Sequence, residues 1–134
     1  MADATYGPKV YRKQGGDEMV VADGGQLTFE GQGTVTQATS KSTGVTLNKI
    51  SGQVTMHNAS LASAAKVSFV VTNSKVAATD LVSVAVLSGG TANAYRAAVT
   101  AVAAGSFTVT VENITGGSLG EAAVIGFVVH KLTA

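Results

Sequence analysis

The run Gly105-Ser-Phe-Thr-Val-Thr-Val-Glu112 alternates apolar side chains (Phe107, Val109, Val111) with polar ones (Thr108, Thr110, Glu112). Period two is the mark of a strand with one face in a core and the other in water. The pattern recurs through the second half of the chain, rich in β-branched residues and punctuated by Gly, Ser and Asn. It predicts strands over residues 52–58, 65–72, 80–87, 94–103, 106–112 and 122–132, joined at Asn73-Ser74, Ser88-Gly89-Gly90, Ala104-Gly105 and Gly116-Gly117. Strands of this length with short loops and no amphipathic helix imply an all-β fold, an antiparallel β-sandwich of jelly-roll-like form. Residues 59–65 alone favour a helix, and they are too few to hold one, so a single turn or an irregular crossover is expected there.

The final predicted strand differs from the others. Val124 and Val128 fall on one face and Ile125, Phe127 and Val129 on the other, so both faces need cover, from a second sheet or a second subunit. Before residue 50 the β-like pieces are short: residues 19–22, 26–30, 34–36 and 44–47, with Gly24-Gly25 and Gly31-Gln-Gly33 between the first three. Ten of the seventeen charged side chains fall in the first 49 residues, which makes this the more solvated half. The reading divides the chain into an extended N-terminal arm, residues 1–18, and one β-domain, residues 19–134, with short strands over 19–50 and the main strands over 51–134. Gly15-Gly16 breaks the arm from the β-domain.

Composition narrows the function. A length of 134 residues suits one domain. The charged fraction is 13%, about half the roughly 25% of ordinary soluble domains, and mean hydropathy is +0.31. The longest apolar run, residues 122–129, falls far short of the ~20 residues of a membrane helix, so strand alternation accounts for the hydropathy and no membrane partner is expected. A net charge of +1 gives no general attraction to nucleic acid. With no Cys there are no disulfides and no thiolate metal ligands. No signal peptide is expected at the N-terminus, which points to synthesis and assembly in a cytoplasm. The sequons at Asn58 and Asn113 are then coincidental.

Few side chains are placed for chemistry. His57 and His130 stand in separate strands without a second ligand two or four residues away, so the expectation is no metal site. The one adjacent carboxylate pair, Asp17-Glu18, lies in the arm. The Gly-rich stretches separate strands, which makes them turns and not phosphate cradles. The expectation is therefore a protein with no catalytic residues and no cofactor. The candidate binding residues are Tyr6, Lys9, Tyr11, Arg12 and Lys13, an aromatic and basic group suited to clipping the arm onto an acidic protein surface. Three cations offset by Asp17 and Glu18 are too few for nucleic acid.

The stretch Tyr6-Gly-Pro-Lys-Val-Tyr-Arg-Lys-Gln-Gly-Gly-Asp-Glu-Met-Val-Val-Ala-Asp-Gly-Gly25 resembles the N-terminus of small virion proteins of tailed bacteriophages. The stretch Gly105-Ser-Phe-Thr-Val-Thr-Val-Glu-Asn-Ile-Thr-Gly-Gly-Ser-Leu-Gly-Glu-Ala-Ala-Val-Ile-Gly-Phe-Val-Val-His-Lys131 is similar to the C-terminal β-module of the same group. Together they span about a third of the chain. The group includes head decoration (cement) proteins. The resemblance implies a decoration protein on the outside of the expanded capsid, assembled in the host cytoplasm and stabilising contacts between major capsid protein subunits. It also implies a homo-oligomer, dimer or trimer, with the arm reaching to a neighbour. The alternative in the same group is a trimeric tail or fibre module that binds the host surface, which the scarcity of aromatic side chains for sugar stacking disfavours (5%, no Trp).

Overall fold

A computed structural model describes residues 8–132. Two compact units divide the chain: one ends at Glu30 and the other begins at Gly31.

The first unit is a hairpin of β1 (Val10–Arg12) and β2 (Met19–Val21), antiparallel, with Val10 opposite Val21, Tyr11 opposite Val20 and Arg12 opposite Met19. This corrects the arm expected over residues 1–18, whose described part forms half of a hairpin. The division at residue 18 accordingly moves to residue 30. The cause lies in Gly15 and Gly16, which the sequence reading takes as a break. They adopt φ of 95° and 79°, the left-handed region that glycine enters without steric cost, and so turn the chain back on itself. The Lys13 N–H donates to the Glu18 carbonyl (2.9 Å) and closes the loop they occupy.

The second unit is a sandwich of eight strands in two four-stranded sheets. One sheet has the order β3-β5-β10-β7, with β3 at Gly33–Thr36, β5 at Ser51–Thr55, β10 at Val124–His130 and β7 at Leu81–Ser88. The other has the order β4-β6-β9-β8, with β4 at Val45–Thr46, β6 at Lys66–Thr72, β9 at Ser106–Asn113 and β8 at Tyr95–Ala103. Each long strand matches a segment marked by its period. Residues 26–30 form no strand, and residues 59–65 are an irregular crossover with one isolated bridge, between Leu61 and Leu119.

The pairing is nested. β5 pairs β10, β6 pairs β9, and β7 and β8 lie against each other across the layers. Within each sheet these six strands pair with one another antiparallel. The two short strands depart from the antiparallel expectation, since β3 adds to β5 and β4 to β6 in parallel. A parallel pair needs a crossover, and here each is supplied by a strand in the opposite sheet.

Alternation sets the core. Phe69 and Val71 of β6 and Phe107, Val109 and Val111 of β9 point inward from one sheet, and Val54 of β5 with Ile125, Phe127 and Val129 of β10 from the other, all at most 3% exposed. The Phe107 and Phe127 rings meet edge-on with centroids 5.2 Å apart, joining the layers at their centre. The outer face of β10 is covered only in part: Val124 and Val128 are half-buried, and Leu87 lies over Gly126, where a Cβ would come 2.6 Å from the Leu87 Cδ1.

Buried amides fasten the loops. The Asn113 side chain is fully buried, and its amide donates to the carbonyls of Leu61 (2.9 Å), Ala62 (3.2 Å) and Gly117 (2.8 Å) while its oxygen accepts from the Thr115 N–H (3.0 Å). The second sequon is thus a loop clasp whose nitrogen is already committed. Asn73 is likewise fully buried and donates to the Lys49 carbonyl at 2.7 Å.

Candidate interaction surface

Four of the five candidate binding residues, Lys9, Tyr11, Arg12 and Lys13, fall together in the hairpin; Tyr6 lies outside the described residues. Their cations are turned toward the hairpin's own backbone and charges. Lys9 Nζ donates to the Asp23 carbonyl (3.3 Å), Arg12 Nη2 to the Gly16 carbonyl (2.7 Å), and Lys13 pairs with Glu18 (2.9 Å). All three groups remain exposed, and an exposed ion pair contributes only about 0–1 kcal/mol, so they stay available for exchange onto a partner.

What the hairpin presents is chiefly apolar. Val10, Met19 and Val21 share one face with Arg12, and Tyr11 with Val20 makes the other. Val10 and Tyr11 are each 41% exposed, Val21 45% and Met19 63%. Sequence reasoning singles out the charges here and passes over Met19 and Val21. The missing signal is the register, which sets both beside Val10 and Arg12.

The sandwich carries a second polar cluster that the sequence does not announce. The Lys41 side chain enters the protein and donates from Nζ to the His57 carbonyl (2.6 Å) and the Glu121 carbonyl (2.5 Å). Gln37, also buried, donates to the carbonyls of Lys41 (2.9 Å) and Thr43 (3.0 Å) and accepts from the His57 N–H (2.9 Å). The Glu121 carboxylate accepts from the hydroxyl and N–H of Thr91 (2.5 Å each), which hold it below the usual carboxylate range, and from the Tyr95 hydroxyl (3.3 Å). Burial, with the neighbouring Glu121 charge, pushes Tyr95 up to about 12. Burial lowers Lys41, and the Glu121 charge opposes that shift. The donors and acceptors here are matched to one another, and the cluster ties residues 37–43 to the chain just before β10. Nothing in a Ser- and Thr-rich loop marks Lys41 in advance, because its partners lie up to eighty residues away.

His57 is half-buried and its Nδ1 accepts from the Ala59 N–H (3.0 Å), whereas His130 is exposed at the end of β10. The outer face of β8 and β9 holds a shallow groove of about 300 Å³ lined by Lys66, Arg96, Ala98, Thr100, Thr110 and Glu112. Here Lys66 faces Glu112 (3.8 Å), and Thr110 bridges the Ser68 and Thr100 hydroxyls (2.7 and 2.9 Å). No protein-family model, curated protein or solved structure matches the chain.

Proposed function

We propose that the protein decorates the head of a tailed bacteriophage, binding the outer surface of the expanded capsid and stabilising contacts between major capsid protein subunits. The observation that carries this reading is the hairpin. It holds Val10, Tyr11, Met19 and Val21 in fixed register at the surface without burying any of them. A two-stranded hairpin is marginal in water, and side chains of this kind gain most from burial against a partner. The resemblance of residues 6–25 and 105–131 to small virion proteins supplies the class of partner.

The sandwich suits the role by being rigid. Its nested strand pairing is read as a jelly-roll-like wrap, and its centre is closed by interlocking aromatic and β-branched side chains. The protein acts by adhesion in this account, with no catalytic step, cofactor, metal, nucleic acid or membrane. Where an oligomer engages several capsid subunits at once, multivalency adds to the affinity without new contacts.

Co-sedimentation tests the proposal. Purified protein mixed with undecorated expanded heads is expected to pellet with them and to stay in the supernatant with unexpanded precursors. Failure to pellet with either would refute it. A copy number in virions comparable with that of the major capsid protein fits decoration; one matching the tail's few subunits would favour the tail or fibre module.

A further inference from the structure

Residues 26–30 have the pattern of a strand without being one. Leu27 and Phe29 alternate with Gln26, Thr28 and Glu30, and all five side chains are exposed, Leu27 at 63% and Phe29 at 48%. From residue 26 to residue 32 no backbone group has a backbone partner among the described residues. The segment has both things a sheet edge recognises, free backbone groups and an apolar face of period two.

We propose that residues 26–30 of one copy add as an antiparallel strand to the free edge of β8 in a second copy. Nine-residue β8 ends its sheet, so one of its edges is unpaired. Its inward side chains Ala97 and Val99, and Val84 and Val86 of β7 facing them, are only half-buried, which leaves that side of the sandwich open to an added apolar face. The pairing of β8 with β9 is regular from Tyr95 to Val99, five residues, before a bulge at Thr100.

Charge and size select one register. Arg96 makes no ion pair among the described residues, and neither does Glu30. Setting Glu30 beside Arg96 on the outer face places Phe29 against the small Ala97, Thr28 beside Ala98, and Leu27 against Val99. Phe29 then meets the smallest inward residue of the regular edge.

Chain reach assigns the edge to another copy. β3 begins three residues after Glu30, a span of about 10 Å at most. β3 and β7 are opposite ends of one sheet, three strand spacings or about 14 Å apart, and β8 lies beside β7. The tether from Glu30 to β3 is shorter than the span from β3 to β8, so the contact between copies is heterologous, closing into a ring where the rotation permits and running on as a filament where it does not.

This inference does not depend on the capsid reading, and purified protein alone tests it. The chain has no Cys, so single variants Thr28→Cys and Ala98→Cys can be mixed under mild oxidation. In the proposed register their Cα atoms stand about 4.5–5.5 Å apart, within disulfide range. An interchain-linked dimer is expected in the mixture at about tenfold the yield of Thr28→Cys mixed with Ser83→Cys, on the outer face of β7; equal yields would overturn the register. By sedimentation, Glu30→Lys is expected to weaken self-association about tenfold, and Arg96→Glu in the same chain to restore it. A wild-type chain that sediments as a monomer at high concentration, or self-association indifferent to Glu30→Lys, would overturn the proposal.

Discussion

The hairpin and the sandwich use the same kinds of residue to opposite ends. In the sandwich, Phe, Val and Ile alternate inward and are almost wholly removed from water; in the hairpin, Val10, Met19 and Val21 stay at the surface although they are just as apolar. The difference is the number of layers. A two-stranded ribbon has no second sheet to close over it, whereas each sheet of the body is the other's cover. One unit therefore carries its stability within itself, and the other has apolar surface to offer a partner.

Removing a core ring should break the body most severely. Phe107→Ala leaves Phe127 facing a cavity and is expected to cost about 3–5 kcal/mol in denaturant unfolding. Deleting residues 2–14, which removes β1, should by contrast leave the body's unfolding within about 1 kcal/mol of the parent and its strand circular dichroism intact. A loss as large as that of Phe107→Ala would erase the distinction between the units. In the proposed role the same deletion abolishes capsid binding.

Intermediate effects sharpen the body's side of the comparison. Asn113→Ala removes the partner of the buried Leu61 carbonyl, of the carbonyls of exposed Ala62 and Gly117 and of the Thr115 N–H, and is expected to cost about 1–3 kcal/mol. Asp80 is held below its ordinary pKa, first by the hydrogen bond from Lys131, with the Ala77 N–H contributing. A carboxylate shifted down stabilises the fold above its unfolded pKa, and that contribution is lost as pH falls through the folded value. Asp80→Asn should flatten the acid limb of the stability profile, and an unchanged limb would assign it to other carboxylates. Tyr95 gives the opposite sign. With its folded pKa near 12 against an ordinary 10, stability should fall as pH rises between those values, less so in Tyr95→Phe. The smallest effect belongs to the hairpin: Glu18→Gln is expected to change unfolding of the body by less than about 0.5 kcal/mol.

How much of this is legible in the sequence depends on how local the cause is. Period two is local, so Phe107, Val109 and Val111, and Ile125, Phe127 and Val129, announce both the strands and their inward faces. The hairpin was hidden by Gly15-Gly16, which read equally as a break or as a turn; only the pairing of Val10 with Val21 decides. Residues 26–30 show the converse, a strand pattern without a ladder, because alternation reports a face to be buried and not whether a neighbour exists. Long-range polar contacts left no trace at all. Lys41 and Glu121, or Asn113 and Leu61, are joined only after the layers close. Of the candidate binding group, the closeness of Lys9, Tyr11, Arg12 and Lys13 along the chain is visible, but the placing of Met19 and Val21 beside them is not.

Hydrogen exchange on the protein, free and then bound to expanded heads, tests the central claim most directly. The account predicts fast exchange of the β1 and β2 amides in the free protein, slowing at least about tenfold on the head, with the β9 amides slow in both. Binding that leaves β1 and β2 exchanging at their free rates would contradict it.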